Sequence, residues 1–167
     1  MDEIVRGNTK PVTFNGPLEA GLRAVAILGA AHPRSLDLHR LVAFDHLLVH
    51  TGDIGGPSSL HPASPLRSAE MLVRRKLVQQ GLLLMMTRDL VDREFQPLGI
   101  RYHAGENAAP FLAALESEYL TPLRERARWL VHALADRTEQ DFRAVMRRFF
   151  NDWVEECQAV ERSLGAE

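Results

Sequence analysis

The sequence predicts a mainly α-helical protein with a small β-hairpin. Three observations carry that prediction. Apolar residues recur at three- and four-residue steps over most of the 167-residue chain. Residues that start and stop helices fall at the ends of those runs. One short stretch, "VDREFQPLGIRYHA" (91–104), alternates instead, around a turn marked by Pro97 and Gly99.

Residues 1–16 read as an N-terminal arm. Asn15-Gly16-Pro17 starts a helix, with Pro17 at the first helical position, where its missing N–H costs nothing. Leu18, Leu22, Val25 and Ala26 keep helical spacing, and Leu28 lies near the far end. The helix stops before His32-Pro33, because the residue before a proline is pushed away from helical geometry. A second helix starts near Ser35 or Asp37, both good caps, and ends at Gly52. Its apolar face is Leu41, Val42 and Leu48, with Phe44 and Val49. The loop 52–64 follows, rich in glycine and proline. It is long for a compact domain, and such loops are often functional.

A third helix is expected over 66–80. Met71, Leu72 and Val78 should face inward, with Leu77 beside them, and Arg74, Arg75 and Lys76 outward. Gly81 should close it as a left-handed C′ residue. A short Leu-rich helix, 82–90, then leads to the hairpin. Residues 106–119 form a helix carrying Ala109, Phe111, Leu112 and Leu115. Thr121-Pro122 opens another, with Leu123, Ala127, Leu130, Val131 and Leu134 inward. Thr138 and Asp141 make an acidic capping box for the last helix. That helix sets Phe142, Met146, Phe149, Trp153, Cys157, Val160 and Leu164 on one seam. About 26 residues give it a length of roughly 40 Å.

The order helix (36–50), helix (66–80), helix (82–90), hairpin (91–104) is that of a winged helix-turn-helix, with 82–90 as recognition helix and the hairpin as wing. The expected layout is an arm (1–16), a winged-helix-like core (17–120) and a C-terminal helical extension (121–167), packed as one domain.

Composition narrows the function. Net charge is −2, so no global field demands nucleic acid or an acidic membrane. Charge is uneven: residues 67–103 carry seven Lys/Arg against four acids, and residues 104–167 eight against twelve. The single cysteine, Cys157, makes no internal disulfide, which fits a reducing compartment, and its place on the apolar seam reads as core packing. The N-terminus lacks a secretory h-region and no apolar run is long enough to span a bilayer, so a cytoplasmic protein is expected.

Chemical motifs are weak. His46 and His50 share a helix face, but H-E-x-x-H needs Glu at 47, where Leu47 stands. A metal site of His46, His50 and Asp53, or one with His61, ranks below ordinary hydrogen-bonded histidines. "GDIGGP" (52–57) lacks the P-loop lysine and follows a helix rather than a strand. Ser58, Ser59 and Ser64 near His61 have no G-x-S-x-G context. No catalytic residue, metal or cofactor is assigned.

Binding residues are clearer. The 82–90 segment is too apolar to read base edges, which call for Arg, Lys, Asn or Gln. Its Leu83, Met85 and Met86 are therefore candidates for partner contact, as are Phe149 and Trp153 on the last helix. The loop 51–65 is a candidate docking loop, shaped by His50, Asp53 and His61. Arg67, Arg74, Arg75, Lys76, Arg93 and Arg101 are candidate phosphate contacts, against the plainer reading of a solvated helix face.

Three blocks, "FNGPLEAGLRAVAIL", "LDLHRLVAFDHLLVHTGDIGGPSSLHPASPLRSAEMLVRRKLVQQGLLLM" and "GIRYHAGENAAPFLAAL", resemble the middle component of bacterial three-component ABC systems. The resemblance runs from Phe14 to about Leu115. Gly16 stands where a polar residue is expected and His46 where an aromatic is expected. The resemblance implies a non-catalytic adaptor, encoded between an SMC- or Rad50-like ABC ATPase and an effector, often a nuclease. Such systems, including those called Lamassu, are similar to defence modules against phage and plasmids. The implied partners are the ATPase and the effector nuclease subunit, with DNA backbone reached through the complex and no membrane. The alternative is a winged-helix DNA-binding regulator.

Overall fold

A computed structural model of the chain describes residues 16–62, 68–115 and 117–149. The elements are α1 (Pro17–Ala31), β1 (Leu36–Asp37), α2 (Leu38–Val49), a 3-10 turn (Thr51–Ile54), α3 (Ser68–Met86), β2 (Val91–Gln96), β3 (Gly99–Ala104), α4 (Ala108–Ala114), α5 (Leu120–Leu134) and α6 (Glu139–Phe149). The architecture is mainly helical, with one three-stranded antiparallel sheet in the order β1-β3-β2.

Helix α1 is the centre of the molecule. Gly16 caps it, Pro17 occupies the first position, and the Gly16 N–H donates to the Glu19 carboxylate at 3.0 Å. Ala20, Ala24, Val25, Ile27, Leu28 and Ala31 are all buried, so the helix is covered on most sides. It ends at Ala31, before His32-Pro33, as the sequence predicts. Helices α2, α3, α4 and α5 and strand β3 pack around it. Helix α2 begins at the expected cap, where Asp37 accepts from the Arg40 N–H at 2.8 Å. It stops at Val49 rather than Gly52, and Thr51–Ile54 tighten into the 3-10 turn.

The main correction concerns residues 66–90. The expected helices 66–80 and 82–90 are one helix, α3, with Gly81 inside it. Gly81 is the point where α3 touches α1. A Cβ there would lie 2.5 Å from the Gly21 nitrogen and 2.7 Å from the Pro17 oxygen. A Cβ on Gly21 would lie 2.9 Å from the Gly81 oxygen. The two glycines let the backbones meet, and that closeness outweighs the roughly 1 kcal/mol by which an interior glycine weakens a helix.

The left-handed residue that ends α3 is Asp89, at φ 56°. The Leu90 N–H donates to Met85 O at 3.1 Å and the Asp89 N–H to Met86 O at 3.2 Å. That pair of bonds is a Schellman motif with aspartate at C′. A separate recognition helix over 82–90 is therefore absent from the described residues. Leu72 is also corrected: it is exposed, while Met71 and Val78 face the core as expected.

The hairpin is as predicted, pairing Val91 with Ala104 through Gln96 with Gly99. Only Val91 and Tyr102 of its twelve strand residues are buried, so the hairpin projects from the core. Strand β1, which sequence alone did not reveal, pairs Leu36 with Tyr102 and ties the root of the hairpin to α2. The helix expected over 106–119 is shorter, Ala108–Ala114. Thr138 caps α6: its hydroxyl accepts from the Asp141 N–H at 3.1 Å and donates to the Asp141 carboxylate at 2.8 Å. Phe142 and Met146 are buried in the protein's own core, Phe142 edge-on to Phe44. Arg40 lies over the Phe142 ring and donates to Ala135 O and Arg137 O, which fixes the turn between α5 and α6. The arm and the seam from Trp153 to Leu164, with Cys157, lie outside the described residues.

Candidate functional site

Among the described residues most exposed large apolar side chains fall in two places, with Leu18 of α1 and Tyr119 before α5 lying apart from them. On α3, Leu72 and Leu83 are each about half exposed, and Val73 and Leu84 lie beside them. Leu72 and Leu83 are eleven residues apart, three turns along one stripe, with Lys76 and Gln79 between them. On the hairpin, Phe95 (72%), Leu98 (102%) and Ile100 (39%) are exposed around the turn. The Arg93 guanidinium lies 5.2 Å from the Phe95 ring centroid. A turn normally carries polar residues, so a fully exposed leucine between Pro97 and Gly99 is a feature in itself.

The partner candidates divide accordingly. Leu83 is on the exposed stripe. Met85 is buried in the core against Gly21, so it presents no surface, and Met86 is half-buried against the same core. Phe149 ends α6 and Trp153 lies outside the described residues. Sequence reasoning missed Leu72, Val73, Leu84, Phe95, Leu98 and Ile100. The signal was present in the "QPLG" turn, where leucine stands in a position that usually takes a polar residue.

The loop after α2 packs against its own domain. The Thr51 hydroxyl donates to Pro57 O at 2.7 Å, and the Gly52 N–H to the Ser59 hydroxyl at 3.1 Å. Gly56 sits on the Trp129 ring of α5; a Cβ there would approach it to 2.5 Å. Arg126 of α5 donates twice to Ser58 O, at 2.9 and 2.7 Å. Leu60 and His61 both return their N–H groups to Val49 O. Residues 51–62 are thus a shaped connector. Asp53 remains exposed on it and His61 is half-buried.

Beneath the loop lies a buried polar cluster. Asp45 of α2, 2% exposed, accepts from Arg23 of α1 at 2.6 Å and from Arg74 of α3 at 2.5 Å. Burial opposes the Arg23 charge, but Asp45 more than compensates and raises its pKa. Tyr119 lies close enough to Arg23 to add to that effect. His46 and His50 are buried, with ring centroids 4.5 Å apart, and His61 stands edge-on to His50 at 6.3 Å. Burial, then the charge of Arg74 and the neighbouring His50, pushes His46 down to about 3. Burial also lowers His50, assisted by Arg74 and opposed by Asp53. His61 is lowered by burial first, then by Arg23, His50 and Arg74. Among the described residues no group of three or more His, Cys, Asp or Glu is placed to hold a metal ion.

The phosphate candidates do not converge on one exposed face. Arg74 is bonded to Asp45. Arg101 donates to the Ser35 hydroxyl at 2.8 Å and to Ser35 O, beside Asp37. Arg93 stacks on Phe95. Arg75 and Lys76 remain on α3, half-buried and exposed respectively, and Arg67 lies outside the described residues. Arg74, expected to face outward, points inward because a buried carboxylate is there to receive it.

The described fold and site define a small helical protein with apolar side chains exposed on one helix and one hairpin. By family, the chain belongs to the ABC-three component (ABC-3C) system Middle Component 2 proteins, whose model matches residues 13–156. The likeness read from the three sequence blocks is borne out at that level. A middle component works within a multi-component system and so has protein partners. No curated protein and no solved structure matches the chain. No helix among the described residues is long and apolar enough to cross a membrane.

Proposed function

We propose that this protein is a non-catalytic, cytoplasmic adaptor that joins an SMC- or Rad50-like ABC ATPase to an effector nuclease in a Lamassu-like defence system. The observation that carries this reading is the exposed apolar set, Leu72, Val73, Leu83 and Leu84 on α3 with Phe95, Leu98 and Ile100 on the hairpin. Large apolar side chains in these positions mark contact surfaces. Family membership supplies the expectation that the contacts are with the other components.

The fold supports a winged-helix reading in a register different from that expected. The order α1-β1-α2-α3-β2-β3 and the sheet order β1-β3-β2 fit that topology, with α3 as the third helix and β2–β3 as the wing. The exposed face of α3 then offers Leu72, Val73, Leu83 and Leu84 around Lys76, Gln79 and Gln80, where a sequence-reading helix would carry a denser set of Arg, Lys, Asn and Gln. A DNA-regulator function loses Arg74 and Arg101 to internal bonds.

Co-expression with the neighbouring ATPase and effector tests the proposal. The adaptor should co-purify with at least one of them. A protein that elutes alone with both present would contradict it.

A further inference from the structure

We propose that the buried cluster of Arg23, Arg74, His50 and His61 is a binding site for one phosphate-type oxyanion. Two guanidinium groups converge on the single carboxylate of Asp45, so one positive charge is left over in a largely buried setting. Buried charge is costly unless it is paired. Two nitrogens there, Arg23 Nη1 and His50 Nδ1, are buried without a hydrogen-bond partner of their own, with Tyr119 beside the Arg23 guanidinium, and both residues are more than nine-tenths buried. Arg74 and His61, each partly open to solvent, form the outer side of the cluster.

The site residues come from α1, α3, the C-cap of α2 and the loop, that is, from several directions. Such a set suits a tetrahedral anion. A planar carboxylate prefers one guanidinium fork, and the Arg23 fork is already taken by Asp45, to which both Nε and Nη2 donate. The burial of Arg23 excludes the backbone of a duplex, so the ligand is free phosphate or a small phosphomonoester.

Proton linkage should mark the site. Asp45 and Asp53 are the acids facing the histidines, Arg23 and Arg74 the bases, with His46 stacked against His50 and Tyr119 next to Arg23. Adding an anion raises the histidine pKa values, so binding takes up protons and tightens as pH falls.

Thermal unfolding of the full chain, at fixed ionic strength with chloride as reference, tests the proposal. Sulfate, whose charge is constant between pH 6 and 8, and inorganic phosphate should each raise Tm by about 4 °C or more at saturation. The rise in sulfate should be larger at pH 6 than at pH 8. Phenyl phosphate distinguishes the sources: a rise points to an ester-borne phosphate, and a response to inorganic phosphate alone points to the free ion. Arg74→Gln removes the surplus charge but leaves the Arg23–Asp45 pair neutral. It should fold with a near-normal Tm in chloride and lose the response to anion. His61→Gln should weaken the response and flatten its pH dependence, and it carries the test if Arg74→Gln does not fold. No rise in wild type, a rise with succinate alone, or an undiminished rise in the variants would overturn the proposal.

Discussion

Asp45 and His46 are neighbours on α2 with opposite demands. Asp45 receives two arginines; His46 must stay neutral, because burial and Arg74 oppose its proton. Asp45→Asn should cost about 3–5 kcal/mol, since it leaves Arg23 buried without its counter-charge; urea unfolding measures that loss. The histidines set a pH dependence. Their folded pKa values lie below the unfolded value near 6.5. Above that value both states are neutral and stability is intact. As pH falls, the unfolded chain takes up protons that the folded protein refuses. Stability should therefore drop from about pH 6.5 downward, by up to about 1.4 kcal/mol per pH unit for each histidine. Thermal unfolding between pH 7.5 and 4.5 should show the decline, and His46→Gln should make it shallower. This cluster was partly legible. Arg23 in "AGLRAVAIL" and Asp45 in "LVAFDHLLV" are single charges of opposite sign inside apolar runs, which is how a buried pair looks in sequence. Pairing across 22 residues, and the third member Arg74, depended on helix packing that one sequence does not display.

At the scale of elements, α1, α2, α5 and the hairpin were readable because their apolar periods are clean, whereas α4 is shorter than expected. Asp37 and Thr138 cap α2 and α6 as expected. Helix α3 was misread for a physical reason. Gly81 has the local signature of a helix end, but it serves a tertiary contact with Gly21, and tertiary contacts leave no local mark. The true end at Asp89 uses an uncommon residue for the left-handed position. Two substitutions separate these roles. Gly81→Ala would help an isolated helix, yet here it should destabilise by about 1–3 kcal/mol through overpacking against α1. Asp89→Gly should stabilise by up to about 1 kcal/mol, because glycine adopts the required φ without strain. Chemical denaturation of both variants reads the two signs. If Gly81→Ala were stabilising, α1 and α3 would not meet at these glycines. The loop after α2 was recognised as special from its glycines and length. Its fixing by Trp129 and Arg126, some seventy residues later, was not visible before the structure.

The molecule has an apolar core that encloses a few polar side chains, and it leaves some large apolar side chains exposed. Phe142 and Met146, on the same seam as the partner candidates Phe149 and Trp153, belong to the protein's own core. For the adaptor reading the most direct measurement is complex formation by the intact chain and by a variant with Leu83→Glu and Phe95→Glu. Both positions are exposed, so circular dichroism and Tm should remain near wild type. Co-purification with the ABC ATPase or the effector should fall at least tenfold, the equivalent of about 1.4 kcal/mol of binding energy. Undiminished complex formation by a well-folded variant would contradict the claim that these side chains dock the partner.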